Sequence, residues 1–174
     1  MELLEVMKNR RSVRKYTQEP VGEERLEKIL QAGMLSASSR NRRSWDFIVV
    51  QEKETLEKMS KARAQGAKML EGADCAIVVI ADPNVTDVWT EDCSIALANM
   101  HLMASALGVG SCWIQGRLRE AENGQSTEEY LCSLLHFPEN YKLEAVLSLG
   151  MPAEELPPHR LEELPKEKIH REHF

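Results

Sequence analysis

The chain has 174 residues, which is enough for one domain with a substantial buried core. Its net charge of −6 argues against a general nucleic-acid-binding protein, and no apolar run approaches the roughly 20 residues of a membrane span. The N-terminus is too acidic for a signal peptide. We therefore expect a cytoplasmic protein with a single domain over residues 1–174, of which residues 150–174 form an extended tail.

The N-terminal third of the chain predicts two helices, an extended segment and a strand. A first helix covers about residues 2–11, and the alternating residues 12–17 then favour an extended conformation. Leu26, Ile29 and Leu30 form the apolar stripe of a second helix over about 22–36. The polar stretch 36–41 interrupts the chain before a strand over 45–50.

The remaining two thirds continue the alternation of helices and strands. The predicted helices cover about 55–64, 91–107 and 127–136, and the predicted strands cover 75–81, 111–114 and 143–149. The helix over 91–107 is apolar nearly all round, so we expect it to be buried. Ser126 and Glu129 predict a capping box, and Gly108 ends the long helix.

This order of elements predicts helices packed on a sheet. No G-x-G-x-x-G follows the first strand, so the standard dinucleotide-binding fold is unsupported.

The cysteines and histidines do not form a recognisable metal pattern. No two of Cys75, Cys93, Cys112 and Cys132 have C-x-x-C spacing, so we expect reduced, structural thiols. His170 and His173 lack neighbouring ligands and are interpreted as surface residues of the tail, so no metal site is predicted.

Two basic clusters stand out in this acidic chain. Alternate residues of an extended segment face the same way, so Arg10, Ser12 and Arg14 could converge on one ligand. Two guanidiniums and a hydroxyl suit a phosphate together with a carbonyl or ring nitrogen. Arg40, Arg42 and Arg43 form the second cluster. The alternative for both clusters is a solvated, non-binding face.

Five stretches, in the same order along the chain, resemble motifs of the FMN-dependent nitroreductase family. Residues 10–16 resemble its N-terminal flavin-binding motif, and 38–48 are similar to its serine-rich loop and following strand. Asn99 lies where the family has its long core helix. Residues 108–114 and 149–155 resemble its Gly-x-Gly strand entry and the close of its last strand.

The resemblance implies an α+β, three-layer fold with a mixed, mainly antiparallel sheet, assembled as an intertwined homodimer. It also implies FMN between the subunits, the tail lying over the partner, and a set of contact residues. The residues implied to hold FMN are Arg10, Arg11, Ser12 and Arg14; Ser38, Ser39 and Asn41 from the second subunit; Gln65 and Lys68 at the pyrimidine edge; Trp113, Ile114 and Gln115 along the ring; and Arg160 at the phosphate. Lys166 or Lys168 would replace Arg160 if the register differs.

The activity implied by the resemblance is NAD(P)H-dependent reduction of nitroaromatics, quinones or similar small acceptors. A ping-pong hydride cycle through flavin N5 requires no catalytic side chain. One departure is Arg43-Ser44, which replaces the usual Gln-Pro and lies either near an anionic acceptor or on the surface. We interpret His101 as a satisfied interior or interface histidine, and Trp45 and Phe47 as core anchors.

Three alternatives remain open at this point. The first is a dehalogenase or a flavin-fragmenting enzyme on the same fold. The second is a flavin-binding protein without turnover. The third is an α/β module whose arginines bind another phosphate.

Overall fold

The structure, a computed structural model, describes residues 2–174 and arranges five α-helices and four strands in this part of the chain. The helices are α1 (Leu3–Asn9), α2 (Glu23–Met34), α3 (Lys53–Met59), α4 (Trp89–Ala106) and α5 (Thr127–Leu135). The strands are β1 (Trp45–Val50), β2 (Cys75–Ala81), β3 (Gly110–Gln115) and β4 (Lys142–Gly150). The predicted bounds of β1 and β2 agree with the structure residue for residue. Helix α3 ends earlier than predicted and continues as the 3₁₀ turn Ser60–Ala62.

The four strands form one sheet in the order β1-β2-β4-β3, with every neighbouring pair antiparallel. All seven residues of β2 are buried, as its continuous apolar run predicts for a strand covered on both faces. Ser12 adds one parallel bridge to Ser111 of β3 at the edge of the sheet. The predicted α+β fold with a mainly antiparallel sheet is therefore confirmed, and the isolated bridge of Ser12 is its one parallel pairing among residues 2–174.

Helices cover both faces of this sheet and make the fold three layers deep. On one face, Ile29 of α2 and Leu97 of α4 belong to the same buried cluster as Leu147 of β4. On the other face, Leu56 of α3 and Leu131 of α5 lie in a second cluster. Trp45 and Phe47 stack with their ring centroids 4.9 Å apart and pack against the first cluster.

Local sequence signals set two of the helix ends as predicted. The Ser126 hydroxyl accepts from the backbone N–H of Glu129, whose carboxylate accepts from the backbone N–H of Ser126, so the capping box is present. Gly108 follows α4 with a φ of 72°, a left-handed conformation that favours glycine.

The prediction that the long helix is buried holds only for its inner side within the protomer. Cys93, Leu97 and Met100 of α4 are buried, but Ile95 is 42% exposed. Ala98 on the same outer side is also exposed. The sheet and α2 cover only the inner side of α4, and burial depends on neighbours as well as on the helix's own residues. The protomer thus presents apolar surface along α4.

Three of the four cysteines, Cys75, Cys93 and Cys112, are buried, and all four are free thiols. Burial raises the pKa of Cys75 to about 12, with a smaller contribution from the carboxylate of Asp74. Among residues 2–174, no helix is long and apolar enough to cross a membrane.

Candidate functional site

The extended segment after α1 runs beside the edge strand β3. The backbone N–H of Val13 donates to the carbonyl of Ser111 at 2.9 Å, and Tyr16 bridges to Pro152. Gly110 is required by this close approach, because an added Cβ would lie 2.8 Å from Val13 and 3.1 Å from the Gly150 carbonyl oxygen. The segment is therefore held against the sheet, and its side chains have defined positions.

Three polar side chains of this segment surround Cys112 of β3. Burial raises the pKa of the Cys112 thiol, and the charges of Arg14 and Arg10 oppose that rise. The neighbouring Ser12 side chain likewise acts to lower the pKa of the thiol. Arg10, Ser12 and Arg14 thus lie near the same buried thiol, and their convergence on one ligand stays a prediction.

The positive charge of this cluster is uncompensated within the protomer. Among residues 2–174, no carboxylate forms an ion pair with Arg10, Arg11 or Arg14. Arg14 donates instead to the Ser12 carbonyl at 3.2 Å. Two guanidiniums without a carboxylate partner, next to a hydroxyl, are suited to binding an anion.

Arg10 makes a contact that the sequence did not indicate. One of its terminal nitrogens lies 2.9 Å from Nε2 of His101, and Nδ1 of His101 lies 2.6 Å from the Ser111 hydroxyl. Burial, and secondly the charge of Arg10, lowers the pKa of His101 to about 4. His101 is therefore a neutral, satisfied interior histidine, as predicted from its place on the long helix.

Arg11 is directed away from this cluster, toward the tail. It donates to the backbone carbonyl of Pro157. Further contacts pair the two segments: Lys15 forms a 3.0 Å ion pair with Glu154, and the backbone N–H of His159 donates to the Lys8 carbonyl at 2.9 Å. The start of the tail therefore lies along the N-terminal segment of its own chain.

The cations at the end of the tail are exposed. Arg160 is 69% exposed and lies 3.6 Å from Glu163 and 3.8 Å from Glu162. Lys166 and Lys168 are likewise exposed, on a 3₁₀ turn. The contact of one of these three cations with a phosphate stays a prediction.

The serine-rich loop sits at the N-terminal end of α4. The backbone N–H of Ser39 donates to the Asp92 carboxylate at 2.9 Å, and the backbone N–H of Arg43 donates to the Ser38 hydroxyl at 3.0 Å. Arg40, Asn41 and Arg43 have φ values of 50°, 56° and 50°, which are uncommon for residues other than glycine. No hydrogen bond found within residues 2–174 joins this loop to Arg10, Ser12 or Arg14 of the same chain.

Gln65 and Lys68 lie on the surface of the protomer. Both are exposed, and Lys68 opens the 3₁₀ turn Lys68–Gly72. Gln65 lines an open cleft of about 390 Å³ together with Leu118 and Arg119. Their implied place at a pyrimidine edge stays a prediction.

Strand β3 carries the remaining implied residues and lies beside a buried carboxyl group that the sequence did not indicate. The Trp113 indole N–H donates to the side-chain oxygen of Gln115 at 2.9 Å, whereas Ile114 is buried on the opposite face. Glu144, only 3% exposed, accepts from the Ser94 hydroxyl at 3.3 Å, and its second carboxylate oxygen has no hydrogen-bond partner within residues 2–174. A lone glutamate in an apolar strand pattern carries no signal that would have singled it out.

Comparison with known proteins decides the family. The model of the nitroreductase family matches residues 7–68 and 63–151, most of the chain. The chain belongs to the nitroreductase family. Its relatives include a protein of Archaeoglobus fulgidus provisionally named NADH dehydrogenase/NAD(P)H nitroreductase, 41% identical over 98% of both chains.

Solved structures of nitroreductases share the whole fold. An FMN-dependent nitroreductase from Clostridium difficile superposes with a TM-score of 0.94 at 41% identity, covering 98% of this chain and 99% of that one. A protein of Parabacteroides distasonis, provisionally named NADH dehydrogenase/NAD(P)H nitroreductase, gives 0.90 at 32% identity and covers 99% and 98%. The fold predicted from the resemblance is confirmed.

Proposed function

We propose that this nitroreductase is an FMN-dependent oxidoreductase that passes electrons from NADH or NADPH to nitroaromatics, quinones or similar small acceptors. One observation carries the proposal: Arg10, Ser12 and Arg14 of a nitroreductase-family chain meet beside β3 with no carboxylate of residues 2–174 paired to either arginine. The printed names of the relatives support the same activity, since they include an FMN-dependent nitroreductase and NAD(P)H nitroreductases.

The donor set fits FMN chemically. A phosphate and the carbonyls of the ring system accept hydrogen bonds, and the cluster offers two guanidiniums and a hydroxyl that donate them. FMN, when bound, supplies the hydride chemistry at its N5 atom. The protein then orients the cofactor, and the positive charge of Arg10 and Arg14 stabilises negative charge next to them. Donor and acceptor would use the site in turn, in a ping-pong cycle.

A second copy of the chain would complete the site. Ser38 and Ser39 bond to Arg43 and Asp92 and make no hydrogen bond to the arginine cluster of their own chain, which supports a contribution of this loop from a partner subunit. Apolar side chains exposed on two helices are available to form the interface, with Leu3 of α1 62% exposed and Ile95 of α4 42% exposed. Burying such surface is the main driving force of dimerisation.

The proposal is tested by the absorption spectrum of the purified protein before and after anaerobic addition of NADH or NADPH. We expect flavin bands, in the isolated protein or after adding FMN, that bleach on reduction and return when a quinone is added. Flavin bands that do not bleach would instead indicate a flavin-binding protein without turnover. A protein that takes up no FMN would overturn the proposal.

A further inference from the structure

His101 is a buried link between the arginine cluster and the sheet. It lies on α4, is 7% exposed, and spans the space between Arg10 at 2.9 Å and Ser111 at 2.6 Å. A guanidinium can only donate hydrogen bonds, so Nε2 of His101 must be the acceptor. The proton of the neutral ring therefore lies on Nδ1 and is donated to the Ser111 hydroxyl.

The link holds Arg10 without cancelling its charge. A carboxylate in place of His101 would accept the same hydrogen bond but would neutralise the guanidinium and reduce its attraction for an anion. A neutral imidazole accepts one donor of Arg10 and leaves the full positive charge. Its burial keeps the ring neutral, because both desolvation and the adjacent Arg10 oppose protonation.

We propose that His101 is a positioning residue that aims Arg10 at an anionic group of the bound flavin nucleotide while preserving the positive charge of Arg10. The proposal rests on the proposed function, since it takes FMN as the ligand of Arg10. It adds a residue outside the set implied by the family resemblance. His101 does not itself touch the cofactor in this proposal; its effect passes through Arg10.

The test is the dissociation constant of FMN for the apoprotein, measured by the quenching of flavin fluorescence. We expect His101→Phe, which removes the acceptor, to weaken FMN binding about ten- to a hundredfold, the range for losing a hydrogen bond to a charged group. His101→Gln keeps an acceptor and a donor and should bind within about threefold of wild type. Wild-type affinity in His101→Phe would overturn the inference.

Two further comparisons separate positioning from a general structural role. His101→Glu has the shape of His101→Gln but brings a carboxylate to Arg10, so we expect it to bind FMN at least about tenfold more weakly than the Gln variant. In an Arg10→Ala background, His101→Phe should have little additional effect. Equal binding by the Glu and Gln variants, or additive losses in the double mutant, would contradict the proposal.

The controls keep the result interpretable. Cys93→Ala changes another buried side chain of α4, eight residues before His101, and should leave FMN affinity unchanged. Thermal unfolding of each apoprotein identifies variants that fail to fold. If His101→Phe is one of them, the comparison of His101→Glu with His101→Gln still tests the proposal. If wild-type apoprotein binds no FMN, the proposed function itself fails; if only the predicted differences are absent, the role of His101 fails.

Discussion

The Asp92 carboxylate of α4 accepts a hydrogen bond from the backbone N–H of Ser39, 53 residues earlier in the chain. Asp92 is only 3% exposed, and its second carboxylate oxygen has no hydrogen-bond partner within residues 2–174. This contact ties the serine-rich loop to the N-terminal end of α4, where a negative charge also interacts favourably with the helix dipole. The left-handed residues of the loop thus have a fixed anchor.

Removing this anchor should destabilise the protein and loosen the loop. We expect Asp92→Ala to lower the free energy of unfolding by about 1–2 kcal/mol, because the Ser39 N–H loses its partner. Urea denaturation measures the change, and the exposed Asp87→Ala is the matched control. Equal stability of the two variants would show that the contact contributes nothing.

Glu144 should make the protein less stable as the pH rises. Burial, the largest cause, raises the pKa of Glu144 above its usual value of 4.5. Its contribution to stability is therefore complete below pH 4.5 and is lost as the pH rises through the raised value. Glu144→Gln should be more stable than wild type at pH 8, with the difference shrinking toward pH 4.5. Urea denaturation at both pH values checks this, and exposed Glu57→Gln should show neither effect.

His101 should make the protein less stable in mild acid. The pKa of His101 is lowered from 6.5 to about 4 by burial and by the charge of Arg10. Below pH 6.5 the unfolded chain therefore binds a proton at His101, whereas the folded protein binds it only near pH 4. The free energy of unfolding falls by up to roughly 1.4 kcal/mol per pH unit over this interval. His101→Gln should lose stability less steeply over this interval. Parallel stability profiles between pH 7 and 4.5 would contradict the assignment.

The arginine cluster should be needed for FMN and not for the fold. We expect the double variant Arg10→Ala with Arg14→Ala to bind FMN at least about a hundredfold more weakly, because both guanidiniums are lost. Its circular dichroism spectrum should match that of wild type. A variant with Lys28→Ala and Lys58→Ala removes the same charge from the surface of α2 and α3 and should retain FMN. Stoichiometric FMN in the arginine variant would refute the site.

The exposed side of α4 should form a subunit interface. We expect the mass of the wild-type protein in solution to be about twice the 19.8 kDa of one chain. Ile95→Glu should shift it toward monomer and weaken FMN binding together, because a buried charge opposes association and the partner's loop is then lost. Sedimentation velocity and flavin titration measure the two effects, with exposed Gln51→Glu as control. A monomeric wild type that binds FMN fully would exclude the shared site.

The sequence by itself determined the elements whose signals are local. The apolar run 75–81 and the mixed run 45–50 predicted β2 and β1 to the residue, and Ser126 with Glu129 predicted the start of α5. The alternation of Arg10, Ser12 and Arg14 predicted their shared surroundings. Each of these signals depends on neighbours a few residues apart, which short-range periodicity and capping report directly.

Only the tertiary structure decided which distant residues meet. Arg10 and His101 are 91 positions apart, and their contact depends on how α1 packs against α4. The same packing leaves the outer side of α4 exposed in the protomer, although its apolar composition predicted full burial. The amino-acid composition of a helix determines how much apolar surface the helix has. The elements that pack against the helix determine how much of that surface is covered.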